Sequence, residues 1–331
     1  MPHLLYLFSG VNLVIGTGAF VLSGILGLVA SDLGLSVAAA GQAITAYAVS
    51  TAVLAPLLLL ATGGWSRKRA LLLALVLFAA GNAVCAWATD LPTLLAGRVL
   101  MGLGASFTPL AAGIAVSLVQ PQQRGKALAL VFLGISLSYV VGVPLGSWIG
   151  FAHGWHVAVW AVTAASVVAA LVVAVWVPSQ VQSPGASFHG LGALLARRDV
   201  LSALLLTLLY FAAIFSVFSY IGPVLNARAA MDSTRLSLTL MLFGLSGVAG
   251  TLLGGAAIDR FGAMVTLRVQ LLVLLAMMLV LPLTAGSYGA MLLVMLVWGT
   301  AGFGMMAPQQ LREPCASVCR RKSRITNIES G

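Results

Sequence analysis

Long uninterrupted apolar runs, separated by short polar breaks, restrict the fold of this chain more than any other feature. Each run is about 20 residues or more, and about 20 helical residues cross the roughly 30 Å of hydrocarbon in a bilayer. A membrane barrel strand would instead show about ten residues of alternation. We therefore predict an all-α polytopic membrane protein with ten transmembrane helices, at residues 4–29, 38–61, 70–89, 94–119, 127–150, 155–177, 200–224, 236–257, 265–285 and 289–307.

The amino-acid composition is that of a chain whose surface is in contact with lipid. Apolar residues make up 61% of the 331 positions, and charged residues make up only 7%. Soluble domains are about 45–50% apolar and about 25% charged. A chain with so few charges could not cover its surface with polar groups in water, so an ordinary soluble domain is excluded.

The basic residues lie in the breaks between the runs, and their distribution predicts an orientation. With the N-terminus inside, the cytoplasmic breaks hold nine basic residues, against two (Arg228 and Arg235) in the outer breaks. The nine are Arg67, Lys68, Arg69, Arg124, Lys126, Arg197, Arg198, Arg260 and Arg268. Since positive loops stay cytoplasmic, we predict a bacterial inner-membrane protein with a cytoplasmic N-terminus. Aromatic residues do not alternate with the basic clusters, so we do not interpret the net charge of +10 as a nucleic-acid site.

The longest internal break, residues 178–199, is rich in proline, serine and glycine and follows six spans. We interpret it as a cytoplasmic linker between a six-helix half at 1–177 and a four-helix half at 200–308. Parallel repeats joined in this way are a known transporter plan. The alternative is an ordinary loop.

Two of the cytoplasmic breaks combine glycines with charges. The break between the eighth and ninth runs reads Gly255-Ala256-Ala257-Ile258-Asp259-Arg260-Phe261-Gly262. The corresponding break of the first half reads Gly63-Gly64-Trp65-Ser66-Arg67-Lys68-Arg69, which keeps the basic end but has no aspartate. Glycines allow a tight turn, and an aspartate is stabilised at a helix N-terminus. We therefore expect Asp259 in a loop that precedes the ninth span.

Arg98, in Leu95-Ala96-Gly97-Arg98, is the basic residue that we place inside a span. A charge at the bilayer centre costs at least about 2.5–3.5 kcal/mol, and less near an interface. Arg98 should therefore face a partner or a wet cavity. The alternative is that its side chain extends to the nearby outer interface.

The fifth span contains Gly142-Val143-Pro144-Leu145-Gly146. Proline removes a backbone donor and bends a helix, and glycines allow helices to approach closely in lipid. The alternative is a small-residue packing face without a functional role.

Together these segments resemble the major facilitator superfamily, and within it the bacterial drug:proton antiporters related to arabinose-efflux and chloramphenicol-export permeases. The resemblance implies transport by alternating access. It also implies a cytoplasmic gate latched by Gly255, Asp259, Arg260 and Gly262, for which the alternative is a solvated charge pair in a cytoplasmic loop. Arg67, Lys68 and Arg69 would be the first-half counterpart; because that segment lacks the aspartate, the alternative is that they only determine the topology. The resemblance places Arg98 near the central cavity and associates Gly142, Pro144 and Gly146 with export.

Polar residues of the spans are candidates to line a cavity between the halves, where transporter sites lie. They are Asn12, Thr17, Arg98, Tyr139, Tyr210, Ser216 and Tyr220. Each tyrosine could equally be an interfacial anchor or a core residue. Many relatives carry a glutamate where this chain has Ala19, so proton coupling is implied by the resemblance and not by a carboxylate within a span.

Enzyme, metal and nucleotide-binding motifs were not found, so we expect neither an enzyme nor a cofactor. The superfamily has twelve spans, and the sequence changes character after Gln310. We interpret residues 309–331 as an aberrant, disordered tail and expect spans eleven and twelve to be lost. The predicted function is ion-coupled export of a small organic solute, drug-like or sugar-like, by a monomer. The alternatives are a non-transporting membrane remnant and a regulatory membrane subunit.

Overall fold

The computed structural model describes residues 2–120, 123–179, 198–221, 223–224, 233–284 and 287–304. Its helices are α1 Pro2–Asp32, α2 Val37–Ala61, α3 Arg67–Ala86, α4 Leu91–Gly104, α5 Phe107–Ser117, α6 Arg124–Leu137, α7 Val143–His153, α8 Trp155–Trp176, α9 Arg198–Phe218, α10 Ser233–Phe261, α11 Ala263–Val280 and α12 Tyr288–Gly304. A π-helical turn, Ser138–Gly142, joins α6 to α7, and a 3₁₀ turn, Leu281–Thr284, follows α11.

The predicted helical membrane bundle is confirmed. Each of the ten predicted spans coincides with one helix or with two consecutive helices. Among the described residues, seven helical segments are long and apolar enough to cross a membrane, and Leu208–Phe218, Thr234–Gly250 and Tyr288–Phe303 are shorter apolar helices. Lipid cannot satisfy an exposed backbone N–H or C=O group, which is why apolar runs of this length form helices.

Proline explains where two spans depart from regular α-helix. The fourth span breaks between Gly104 and Phe107, where the ring of Pro109 would meet the carbonyl of Ala105 four residues earlier. The fifth span widens into the π-helical turn just before Pro144, which lacks the N–H group that Val140 would bond. Both interruptions remain inside apolar runs, so the spans continue through them.

The chain divides into two compact units whose boundaries cut through α9 and α10. The first comprises the described residues of Met1–Leu191 and Ser216–Gly244, and the second those of Gly192–Phe215 and Leu245–Gly331. In the first unit α1 is a central helix, with Phe8, Leu22 and Ile25 almost fully buried. The prediction of halves at 1–177 and 200–308 concerns sequence repeats and stays a prediction.

The expected loop between the eighth and ninth spans is almost entirely helical. Gly255 and Asp259 lie within α10, and the connection to α11 consists of Gly262, whose φ of 79° favours glycine. The prediction that Asp259 lies in a loop at a helix N-terminus is therefore wrong, because it lies in the last turn of α10.

A second correction concerns Arg268. The charge distribution predicts Arg268 in the cytoplasmic break before the ninth span, but it lies six residues into α11 and is exposed. The linker at 178–199 is described only at 178–179 and 198–199, and the tail at 309–331 lies outside the described residues.

Candidate functional site

Arg98 is a buried cation in the first unit. Asp90 caps α4, and Arg98 follows two turns later, with 2% of its surface exposed. Its Nη1 donates to the backbone oxygen of Gly18 at 3.0 Å and is 3.4 Å from that of Ala19. Helical carbonyls accept these bonds because each oxygen has a second lone pair. The side chain therefore binds the backbone of α1 and does not extend to the interface.

The surroundings of Arg98 hold no acid among the described residues. Elsewhere in the first unit, a carboxylate oxygen of Asp32 lies 3.9 Å from the Nδ1 atom of His156. The Nε atom of Arg98 is buried without a hydrogen-bond partner. A buried charge usually has an ionic partner or a full set of hydrogen bonds. Arg98 therefore keeps one donor free in the interior of the unit.

The fifth span packs on α1 through four glycines that lie four or eight residues apart. Gly134 faces Ser9, Gly142 faces Thr17, Gly146 faces Val21 and Gly150 faces Ile25, and a Cβ atom added at any of these glycines would collide with its neighbour. Residues four apart share one helix face. Two of the predicted motif glycines, Gly142 and Gly146, thus allow α1 and α7 to approach closely.

Thr17 and Pro144 are two further residues of the segments that meet where the fifth span packs on α1. The hydroxyl of Thr17 donates to the oxygen of Leu13 in its own helix at 2.8 Å, so its bond is local. Pro144 is buried in the first turn of α7. The motif is therefore a packing element in this structure, and its association with export stays a prediction.

Four aromatic residues form an aromatic cluster in the first unit, namely Phe20, Tyr139, Phe218 and Phe243. The ring of Tyr139 stacks on Phe20 at 4.8 Å and meets Phe218 edge-on at 5.3 Å. Phe218 stacks in turn on Phe243 at 5.6 Å. Gly244 lies against the backbone of Tyr139, which leaves no room for a Cβ atom. The cluster joins α1 and the π-helical turn to α9 and α10.

Asn12 and Tyr220 also lie in packed positions of the first unit. Asn12 is fully buried, donates to the oxygen of Val131 at 3.0 Å, and accepts from Thr108 at 2.8 Å. It therefore ties α1 to α5 and α6. The ring of Tyr220 lies against Gly41 of α2. A cavity role for these two residues stays a prediction.

Tyr210 and Ser216 are the remaining cavity candidates. In the second unit Tyr210 is buried, and its hydroxyl donates to the backbone oxygen of Gly302 in α12. Ser216, near the end of α9, is exposed. Within the first unit the candidates have different partners: Thr17 meets Gly142, Tyr139 joins the aromatic cluster, and Arg98 binds the backbone of α1.

The charged motif residues lie at helix ends. Arg67 is buried at the start of α3 and donates to the oxygen of Gly63 at 3.2 Å, while Lys68 is half-buried and Arg69 is exposed. Arg260 is exposed and stacks over Phe261 at 5.4 Å. The side chain of Asp259 lies outside the described part of the structure. The latch assignment therefore stays a prediction.

The sequence did not indicate Phe20, Phe218 or Phe243 as members of a site. Each lies in an apolar run where a phenylalanine facing lipid has the same local sequence. Within the described residues, no group of three histidine, cysteine, aspartate or glutamate side chains is placed to hold a metal ion.

The sequence profile described as "Major Facilitator Superfamily" matches residues 8–312. The inner membrane transport protein YdhP of Escherichia coli (strain K12) is 33% identical over 299 residues, which are 90% of this chain and 77% of that protein. A chloramphenicol resistance protein of Streptomyces lividans is 36% identical over 272 residues, covering 80% of this chain and 69% of that protein.

Solved transporters have the same fold. A bacterial homologue of the human lysosomal transporter Spinster, in an inward-facing and unoccupied conformation, matches with a TM-score of 0.71 at 15% identity, over 94% of this chain and 74% of that one. The nucleoside transporter NupG matches with a TM-score of 0.70 at 16% identity, over 93% and 81%.

Proposed function

We propose that this chain, which belongs to the Major Facilitator Superfamily, exports a small organic solute across a bacterial cytoplasmic membrane by alternating access. The superfamily is a class of transporters, and this chain's relatives include an inner membrane transport protein. Export, the solute and the coupling ion are the parts that we propose. The orientation with a cytoplasmic N-terminus is part of the same proposal and follows from the positive loops.

The observation that carries the proposal is the buried guanidinium of Arg98. Two backbone oxygens hold this cation in an apolar interior, and its Nε donor has no hydrogen-bond partner. Burial of such a group costs folding free energy. Ionisable residues within membrane spans commonly mark transport pathways. We infer that a solute with a hydrogen-bond acceptor reaches Arg98 when the unit opens.

The aromatic cluster supports a gating role. Its rings connect α1 and the π-helical turn with the later helices α9 and α10 inside one unit. A change of access that moves α9 and α10 must therefore separate these rings. We propose that Asp259 and Arg260 latch the cytoplasmic side of the same cycle, with Arg67, Lys68 and Arg69 as the first-half counterpart.

Chloramphenicol is the first solute to test, because the Streptomyces lividans relative is a chloramphenicol resistance protein. Its nitro, amide and hydroxyl groups offer acceptors to Arg98. A sugar-like solute is the second choice.

Proton coupling is proposed from the family resemblance, because the described aspartates lie at helix ends. Asp32 and Asp90 are exposed at helix ends, and Asp199 and Asp259 lie in the first and last turns of α9 and α10. A coupled carrier normally needs a titratable group within the membrane path. Coupling would therefore use a group at a helix end or a group on the solute.

The experiment is uptake of radiolabelled chloramphenicol into everted membrane vesicles that contain the chain, with and without a proton gradient. We expect uptake that depends on the chain and falls in the Arg98→Met variant, with Arg235→Met as an exposed control. Uptake that persists after the proton gradient is collapsed would contradict proton coupling but not the proposal of transport. Absence of uptake for chloramphenicol, sugars and cationic dyes would favour the non-transporting alternative.

A further inference from the structure

An apolar groove of about 660 Å³ runs between α10, α11 and α12 in the second unit, and we call it the C-terminal groove. Its floor on α10 is a row of small residues, Gly250, Gly254 and Ala257, which ends at Phe261. From Gly250 to Phe261 is three helical turns, or about 16 Å at about 1.5 Å per residue. The groove is therefore long and narrow, and apolar side chains dominate its lining.

Cations lie at one end of the C-terminal groove. Phe261 lines the groove, and the guanidinium of Arg260 lies 5.4 Å from the centre of its ring. Arg268 is one turn from Val265 on α11, and Val265 also lines the groove. Both arginines are exposed. An exposed arginine six residues into a span must extend to the headgroup layer, because its charge is too costly among acyl chains.

We propose that the C-terminal groove binds an anionic phospholipid, with one acyl chain along Gly250, Gly254 and Ala257 and the phosphate between Arg260 and Arg268. An acyl chain suits a long apolar groove within membrane spans. A phosphate complements two arginines at its end, as basic pockets between transmembrane helices bind anionic headgroups. This site shares Arg260 with the proposed gate, but lipid binding itself does not depend on transport activity.

A second groove in the first unit provides an internal comparison. This N-terminal groove has about 630 Å³ between α1 and α8 and is also mostly apolar. Its polar lining consists of His3 and Tyr6, together with the indole of Trp176, and includes neither arginine nor lysine. The two grooves thus have similar volumes, and the linings of both lack arginine and lysine, but Arg260 and Arg268 lie next to lining residues of the C-terminal groove. A preference for anionic lipid should therefore depend on the C-terminal groove.

Gln270 distinguishes an acyl chain from a polar solute in the C-terminal groove. Gln270 lines the groove, and its Oε1 atom is buried without a hydrogen-bond partner in the described part of the chain. An acyl chain cannot donate to this oxygen, so Gln270→Leu should leave lipid binding equal or stronger. A solute with an N–H or O–H group would bind Gln270, and the same variant would weaken it.

The test is lipid binding to the full chain purified in detergent, measured by native mass spectrometry and by the thermal midpoint. Phosphatidylglycerol is compared with phosphatidylcholine of the same acyl chains. We expect the chain to prefer phosphatidylglycerol, and Arg260→Gln and Arg268→Gln each to reduce that preference about 5-fold. The matched control is Arg69→Gln, which removes an exposed charge from the other unit and should keep the preference.

Groove-filling variants test the acyl chain. Gly254→Leu should weaken binding of both lipids, whereas Gly10→Leu fills the N-terminal groove and should leave the phosphatidylglycerol preference unchanged. An unchanged preference in the Arg260→Gln, Arg268→Gln double variant overturns the proposal, and so does weaker binding in Gln270→Leu. Equal stabilisation by glycerol 3-phosphate, unaffected by Gly254→Leu, would show a free-anion site and also reject the lipid.

Discussion

The guanidinium of Arg98 donates a 3.0 Å hydrogen bond to the backbone carbonyl of Gly18, 80 residues earlier in the chain. The side chain of Phe78 and that of Val162 lie where a Cβ atom of Gly18 would be. A small residue here lets three helices converge on α1. The arginine thus contacts the part of α1 that contains Ala19, where the family resemblance leads one to expect a glutamate.

Replacement of Arg98 by methionine should separate stability from transport. A buried cation without an acidic partner contributes little net stability, and an apolar chain of similar volume is often neutral or stabilising. We expect the thermal midpoint of Arg98→Met to be equal or higher. Chloramphenicol uptake should fall about 10-fold or more, because a charge-assisted hydrogen bond contributes about 1.5–3 kcal/mol.

Arg98→Lys separates the effect of the charge from that of the guanidinium geometry, since lysine keeps the charge but cannot reproduce that geometry. Uptake should stay low in this variant as well. If Arg98→Met is unstable but its residual folded fraction transports normally, Arg98 is a structural residue and not part of the solute path.

The sequence was sufficient to predict the helices and to single out Arg98, because the bilayer restricts both the backbone and the charged side chains of a span. Lipid forces long apolar runs into helices, and a charge inside such a run is conspicuous. The aromatic cluster could not be predicted, because Phe20, Tyr139, Phe218 and Phe243 are far apart in sequence and their helices are apolar on nearly all sides. Without an apolar and a polar face, the pattern does not indicate which residues turn inward.

The end of α10 near Asp259 could not be predicted from the sequence for a different reason. The segment Gly254-Gly255-Ala256-Ala257 has the composition of a turn in a soluble protein. In a membrane helix small residues serve close packing instead, and α10 continues through them to Phe261. The spacing of glycines was therefore informative in the fifth span, where it matches α1, and misleading in the eighth.

Gly142→Ala should destabilise the first unit, because the added methyl group collides with Thr17. Overpacking of this kind costs about 1–3 kcal/mol, and we expect a lower thermal midpoint. Gly27→Ala is the matched control on α1, where nothing lies within 4 Å of the added atom. That change should be neutral or stabilising by up to about 1 kcal/mol.

A compensating change tests the Gly142 contact directly. Thr17→Gly removes the side chain that the new methyl group meets, so the double variant should recover more stability than the two single changes predict. Additive effects would mean that Gly142 is needed for another reason, such as the π-helical turn that ends there.

Tyr139→Ala should weaken the aromatic cluster. Tyr139 makes two ring contacts, with Phe20 and with Phe218, and aromatic pairs contribute about 0.5–1.5 kcal/mol each. We expect a loss of about 1–3 kcal/mol in unfolding free energy on this basis. Tyr139→Phe keeps both ring contacts and should retain the part of the stability that comes from them. If Tyr139→Phe is as damaging as Tyr139→Ala, the hydroxyl group matters and not the ring.

Asp90 should give α4 a stability contribution that depends on pH. Its carboxylate accepts from the backbone N–H of Thr93 at 2.8 Å and caps the helix that carries Arg98. Hydrogen bonds from Thr93 lower the pKa of Asp90 below its ordinary value. A carboxyl group whose pKa is lower in the folded state stabilises that state above its unfolded pKa, near about 4. This contribution is lost as the pH falls through the lower, folded pKa.

Ser36 provides the control for Asp90, because its hydroxyl caps α2 through the N–H of Ala39 at 3.1 Å and does not titrate. We expect Asp90→Ala to lower the thermal midpoint at pH 7 and to have a smaller effect at pH 3, because the stabilisation by the wild-type carboxylate decreases as the pH falls from its unfolded pKa, about 4, toward its lower folded pKa. Ser36→Ala should lower the midpoint by a similar amount at both pH values. Thermal unfolding of the two variants and the wild type in one detergent, from pH 7 to pH 3, measures this difference. A loss in Asp90→Ala that is independent of pH would mean that the uncharged carboxyl group caps α4 equally well.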